Sequence, residues 1–129
     1  MKNTVRPCAL LLPMLLAACA VNTPLPKVFP AGARVPSASE LTALLRGKSV
    51  SALHANGTIT KVDYAADSDN LVIYFGGRAD TGTWRAEDGG RICYQFKFFN
   101  STCNDIRLVG QDIYTKRANG DVVQVNISR

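Results

Sequence analysis

From residue 50 onward the chain alternates short apolar or alternating segments with polar turn residues about every ten positions, which predicts successive strands. The stretch before it has a different period. Ser37-Ala38-Ser39-Glu40 has the S-x-x-E form of a capping box, in which Ser and Glu satisfy free amide donors of a first helical turn. Leu41, Leu44 and Leu45 follow at i, i+3 and i+4, one apolar stripe. Arg46 suits the negative end of a helix, and Gly47 suits the left-handed position after it. A helix over 38–46 is expected. Strands are expected over 50–54, 58–64, 71–75, 81–86, 91–98, 103–108, 111–115 and 122–127, with Asn56-Gly57 and Asn119-Gly120 as two-residue hairpin turns. In 91–98, Ile92, Tyr94, Phe96 and Phe98 fall on one face and Arg91, Cys93, Gln95 and Lys97 on the other. The fold class is mainly β: one short helix, then an antiparallel meander of about eight strands forming a small barrel or a sandwich.

Cysteine usage adds a constraint. Four cysteines are present, and Cys93 and Cys103 are the pair inside the strand region. In an exported chain they are expected to form a disulfide, closing a loop of about 11 residues and contributing roughly 3 kcal/mol on the chain-entropy model. The register is open. The two lie opposite each other only in a hairpin centred near Phe98, whereas turn chemistry favours Asn100-Ser101-Thr102. Either Phe98 and Phe99 occupy a wider loop, or the bridge is diagonal or joins non-adjacent strands.

Upstream, Lys2 and Arg6 precede an apolar stretch from Cys8 to Ala18, shorter than the roughly 20 residues needed to span a bilayer. A basic start, a short apolar segment and small residues at its end make a secretory signal. The end reads Leu16-Ala17-Ala18-Cys19 and resembles the lipobox of bacterial lipoproteins. That resemblance implies cleavage before Cys19, a diacylglycerol thioether on its sulfur and acylation of its new amino group. Several acyl chains make a stable anchor where one is marginal. Ala20 stands where enteric lipoproteins retained in the inner membrane have Asp, which implies the outer membrane, facing the periplasm. Residues 20–36 hold Pro24, Pro26, Pro30 and Pro36, and residues 37–129 hold none. The expected organisation is a signal over 1–18, a lipidated Pro-rich tether over 19–36 and a single β-domain over 37–129. A polyproline-like tether of this length reaches roughly 50 Å. Docking of Val28 and Phe29 on the domain is the alternative.

Chemistry is sparse. The sole histidine, His54, would have to carry any Ser-His or Cys-His catalysis, and no G-x-S-x-G exposes a serine. A solvated or structural His54 is the plainer account. Asp67-Ser68-Asp69-Asn70 matches the opening of a calcium loop but lacks its Gly and closing Glu, so these residues read as a turn. Gly76-Gly77 and Gly89-Gly90 lack the context of a phosphate loop and read as turns too. No catalytic residue, cofactor or metal site is assigned, and the chain is not expected to be an enzyme.

Charge invites a nucleic-acid reading: the chain has 15 basic and 10 acidic residues, formally +5. Lys2, Arg6, Lys27 and Arg34 precede the domain, however, leaving 11 basic residues against 10 acidic ones from Ser37 on. A nucleic-acid partner is therefore not expected. Arg85, Arg91, Lys97 and Arg107 could form a local patch, with a solvated sheet face the plainer account. The central aromatics (Tyr74, Phe75, Trp84, Tyr94, Phe96, Phe98 and Phe99) read as core. Gly82-Thr83-Trp84 matches the G-x-W of lipocalin-type barrels, but falls midway along the chain where theirs marks the first strand. An eight-stranded barrel can be filled by its own side chains, so no sizeable cavity is expected.

The series Gly82-Thr83-Trp84-Arg85, Gly89-Gly90-Arg91-Ile92-Cys93-Tyr94 and Cys103, led by Leu41-x-x-Leu44-Leu45-x-Gly47, resembles a group of small exported proteobacterial proteins of unknown function with a G-x-W…G-x-x-C…C core. The resemblance implies no activity. The expected function is a lipid-anchored, periplasm-facing binding or scaffolding module with a protein partner in the cell envelope. A lipocalin-like carrier of a small hydrophobic ligand and an inhibitor of a hydrolase such as lysozyme are the alternatives.

Overall fold

The computed structural model describes residues 24–128; the signal expected over 1–18, with Cys8, and the expected lipid-attachment residue Cys19 lie outside the described residues. Helix α1 (Ala38–Leu45) begins where the capping signal placed it: the Ser37 hydroxyl accepts the N–H of Glu40 at 3.1 Å. The Glu40 carboxylate receives two hydrogen bonds from the Arg34 guanidinium, at 3.0 and 2.6 Å. Gly47 ends the helix in the left-handed region, with φ 76°.

Eight strands follow: β1 (Ser49–Leu53), β2 (Ile59–Tyr64), β3 (Asn70–Phe75), β4 (Arg78–Glu87), β5 (Arg91–Phe96), β6 (Thr102–Val109), β7 (Asp112–Lys116) and β8 (Val122–Ile127). Each pairs antiparallel with the next, and β1 pairs with β8 through Val50↔Ile127 to Ala52↔Val125, which closes the barrel. Of the two architectures expected, the structure is the barrel. Closure leaves no sheet edge to shield.

Alternation decides inside and outside. Val50, Val62, Leu71, Ile92, Ile106 and Ile113 are buried inward, while Lys61, Arg85, Arg91 and Gln95 point to solvent. An apolar lumen within a polar wall is the reverse of a membrane-spanning barrel. Among the described residues no helix is long and apolar enough to cross a membrane. In the G-x-W segment, a Cβ on Gly82 would stand 2.3 Å from the Gln95 carbonyl oxygen, so only glycine lets β4 and β5 approach there.

Because the meander is antiparallel, its hairpins fall alternately at two ends. One end carries the β2–β3, β4–β5 and β6–β7 turns, and α1 lies across it. The Ala38 N–H donates to Asp88 at 3.0 Å, Arg46 pairs with Asp69, and Gly47 N–H donates to Ala65. Leu41 and Leu45 complete the core, and Pro36 is fully buried near Gly90. The other end carries the β1–β2, β3–β4, β5–β6 and β7–β8 hairpins, and no element among the described residues lies across it.

Several local expectations shift in the structure. Cys93 and Cys103 are directly opposed, with Cα atoms 4.0 Å apart, and form the disulfide. The register question resolves in favour of a wide loop over 97–101 holding Phe98 and Phe99. The strand expected to reach Phe98 ends at Phe96, because the carboxylate of Asp80 on β4 accepts the N–H groups of Phe98 and Phe99, both at 2.7 Å. The two Asn-Gly hairpins have three-residue loops instead of two: His54 N–H donates to Thr58, Arg117 N–H to Asp121, and Gly57 and Gly120 take φ 88° and 90°. Gly76-Gly77 makes the two-residue turn, with both glycines at positive φ.

The Pro-rich segment from Pro26 on lies against the barrel. The Pro26 carbonyl accepts Val122 N–H at 2.8 Å, Lys27 pairs with Asp121, and Arg34 exchanges two backbone hydrogen bonds with Leu108. Phe29 packs under the cations of Arg107 and Lys116, at 5.2 and 5.4 Å, while Val28 beside it is exposed.

Candidate functional site

The lumen holds a cavity of about 640 Å³, floored by α1 and open at the uncovered end. No sizeable cavity was expected, and the structure corrects this. An eight-stranded barrel has room either for its own side chains or for one small ligand. Here the helix leucines fill one half only. In the other half several inward positions carry small residues, among them Ala52, Thr60, Thr102, Thr115 and Ala118, which leaves space.

The floor is apolar: Leu41, Leu44 and Leu45 from the helix meet Ile92 and Ile106 from the wall. Trp84 packs edge-on to Tyr64 with ring centroids 4.9 Å apart, and the Arg46 guanidinium lies 5.9 Å from the indole. Higher in the lumen the Tyr64 and Tyr94 hydroxyls, brought from β2 and β5, meet at 2.8 Å. Burial pushes the Tyr94 phenol up to about 12, against a smaller opposing effect of the Tyr64 bond. Burial also carries Tyr64 well above its ordinary value, with Tyr94 adding to the rise. Both phenols are therefore neutral at physiological pH. One donates to the other, and the second keeps a donor for another acceptor.

At the mouth, His54 and Arg117 come from the two neighbouring Ala-Asn-Gly hairpins. His54 is buried in the wall, hydrogen-bonded to Thr60 and edge-on to Phe75 at 5.3 Å. Burial lowers its pKa, the Arg117 charge lowers it further, and Asp121 partly opposes both. Of the solvated and structural accounts considered from sequence, the structure has the second: a neutral, buried wall histidine with the Thr60 hydroxyl as its partner. Arg117 lines the same mouth and has no ion-pair partner within 4.0 Å among the described residues. Burial draws its pKa down and Asp121 draws it back; a guanidinium stays charged regardless.

Asp80 was missed in the sequence reading. Its carboxylate is buried and also accepts its neighbour Thr81 N–H at 2.8 Å. Burial raises its pKa, but the bonds from Phe99, Phe98 and Thr81, with the Lys97 charge, leave it below the ordinary carboxylate value. It thereby holds the aromatic β5–β6 loop over the mouth. It falls just before the strand expected over 81–86, which in the structure begins at Arg78, so no local signal marked it.

The remaining candidates lie elsewhere. Cys93 and Cys103 are joined on the outer wall. Asp67 to Asn70 forms the β2–β3 turn, with Asp69 committed to Arg46. The proposed basic patch is divided: Arg85 pairs with Glu87, Arg91 with Asp105, Arg107 caps Gly89 and Gly90 carbonyls, and Lys97 lies over Phe98. Phe98, expected in the core, is 73% exposed at the rim. Comparison with protein-family models, curated proteins and solved structures finds no match to this chain.

Proposed function

We propose that this protein is an exported, non-enzymatic lipoprotein whose barrel holds a small acidic amphiphile, its tail in the lumen and its head at Arg117. The observation that carries this reading is the cavity of about 640 Å³, apolar at its closed floor and bearing at its open mouth a half-buried cation with no ion-pair partner among the described residues. Size and lining suit a small-molecule site: mostly apolar, with a few polar groups to fix orientation. Each methylene placed in the lumen contributes about 0.8 kcal/mol, and a carboxylate or phosphate at the mouth offers Arg117 a forked hydrogen-bond partner. The free donor of the Tyr64–Tyr94 pair suits a carbonyl or hydroxyl part-way along the tail. Of the functions expected from sequence, this favours the hydrophobic-ligand carrier over the protein scaffold and the hydrolase inhibitor. Cleavage after Ala18, acylation of Cys19 and an outer-membrane, periplasm-facing position belong to the same proposal.

The test combines solvent extraction of protein purified from its membrane with titration of a fluorescent fatty acid. Extraction is expected to release an acidic amphiphile at about one per chain, and the titration to saturate. Arg117→Gln is expected to weaken binding about 10- to 100-fold, the range for hydrogen bonds to charged groups. Val125→Trp, which fills the lumen, abolishes it with the fold intact. Unsaturable binding, or full binding by a folded Val125→Trp variant, overturns the reading. Separately, Cys19→Ser should leave the membrane fraction and lose acyl label.

A further inference from the structure

We infer that the open rim of the barrel rests on an anionic phospholipid surface, so that the lumen opens toward the bilayer. The large exposed apolar side chains are concentrated at that end. Leu53 and Ile59 flank the β1–β2 hairpin, Tyr74 and Phe75 the β3–β4 turn, and Phe98 tips the β5–β6 loop; their exposures run from 40% to 73%. Val28, beside the β7–β8 hairpin, completes the rim, while Val35 and Ile127 alone of this set lie toward the other end.

Cations sit on these rings. Lys97 lies 5.2 Å from the Phe98 ring, Arg78 5.3 Å from Phe99, and Lys61, which also reaches Asp63, 5.4 Å from Tyr74. An apolar body with a charged tip suits the boundary between acyl chains and phosphates. The acids near the rim are both engaged, Asp121 by Lys27 and Asp80 by backbone N–H groups. The closed end carries Glu40, Asp67, Asp69, Glu87, Asp88 and Asp112. Arg34, Arg46, Lys48, Arg85, Arg91 and Arg107 match those acids at the closed end, with Glu40, Asp69 and Glu87 in ion pairs, so a negative surface attracts the rim more than the floor.

The leash points the same way, in a step that rests on the proposed anchor at Cys19. The chain meets the barrel at Pro26 and Lys27, beside the β7–β8 hairpin of the rim. Seven residues from Cys19 to Pro26 span at most about 25 Å. With the rim on the bilayer, an amphiphile passes between membrane and lumen without crossing water.

Vesicle sedimentation separates this docking from the anchor. The chain from residue 19 to 129 contains every described residue, and with Cys19→Ser it carries no acyl group. It is expected to bind vesicles of phosphatidylcholine with one-quarter phosphatidylglycerol, to release in high salt, and to bind pure phosphatidylcholine far less. Lys61→Gln with Lys97→Gln should lower the partition about 25-fold, about fivefold per basic residue. Phe98→Ser with Ile59→Ser should lower it at least tenfold. Lys48→Gln with Arg91→Gln, at the closed end, should change it less than twofold. Thermal unfolding confirms the fold of each variant, and fatty-acid titration in solution reports the lumen independently. No binding to anionic vesicles, or an equal loss from the closed-end pair, overturns the docking even where the lumen still binds its ligand.

Discussion

The two ends of the barrel are built from the same eight strands with the same inward–outward alternation, yet they are different materials. At the closed end α1 lies across the hairpins, Leu41 is 1% exposed, and backbone groups are paired through Asp88, Ala65 and Leu108. At the open end no helix among the described residues covers the hairpins, only Pro26 and Lys27 reach one of them, apolar side chains face water, and a buried carboxylate holds the one long loop. The floor is organised for stability and the mouth for access. Binding elements are commonly drawn from the less stable part of a fold, and here the division runs along the barrel axis.

That contrast can be broken at its strongest point first. Leu41→Ala leaves a cavity under the helix and is expected to cost about 3 kcal/mol, read as a lower urea midpoint at unchanged m-value. A cost near zero would mean that the helix does not seal the floor. Next, replacing both Cys93 and Cys103 by Ala removes a crosslink in the wall below the β5–β6 loop. A loss of about 2–3 kcal/mol relative to the oxidised protein is expected in the same measurement. Ser37→Ala, which removes the helix cap, should cost about 1 kcal/mol. Phe98→Ala at the rim should stay within about 0.5 kcal/mol, since the ring is already in water. A larger loss would place Phe98 in the core after all.

Acid sharpens the comparison at the mouth. The folded-state pKa of Asp80 lies below its ordinary value, so its stabilisation is in place above the unfolded carboxylate range near pH 4 and is lost as pH falls through it toward the folded value. Amide exchange at Phe98 and Phe99 should therefore lose protection in that window before the floor amides do. The Asp80→Asn variant should lack the transition, and a transition retained by that variant would assign the effect to another group.

Much of the fold was legible because local chemistry and global architecture agree. Ser37 and Gly47 bound the helix, the turn residues punctuate the strands, and period-two alternation in β5 sends Ile92, Tyr94 and Phe96 inward. Local signals failed where a distant partner decides. Asn-Gly pairs mark a hairpin, but the preceding Ala55 and Ala118 joined the loops and made them three residues long. Phe98 continues the alternation of β5, yet Asp80, eighteen residues earlier, captures its amide and ends the strand. The candidate site was less legible still. Nothing in the spacing of His54, Asp80 and Arg117 brings them to one mouth until the barrel closes.

By itself, the sequence determined the order and kind of the elements, the mainly β class and the cysteine pair, because capping, turn geometry and side-chain alternation act over a few residues. It also carries the signal-like start and the lipobox-like Cys19. Tertiary structure alone decided barrel over sandwich, the direct opposition of Cys93 and Cys103, and a hollow lumen instead of a filled one. Those outcomes depend on β1 meeting β8 and on one helix covering one end, contacts between residues far apart in the chain. Inward volume and outward charge sum over all eight strands, and only closure turns those sums into a floor, a mouth and a rim.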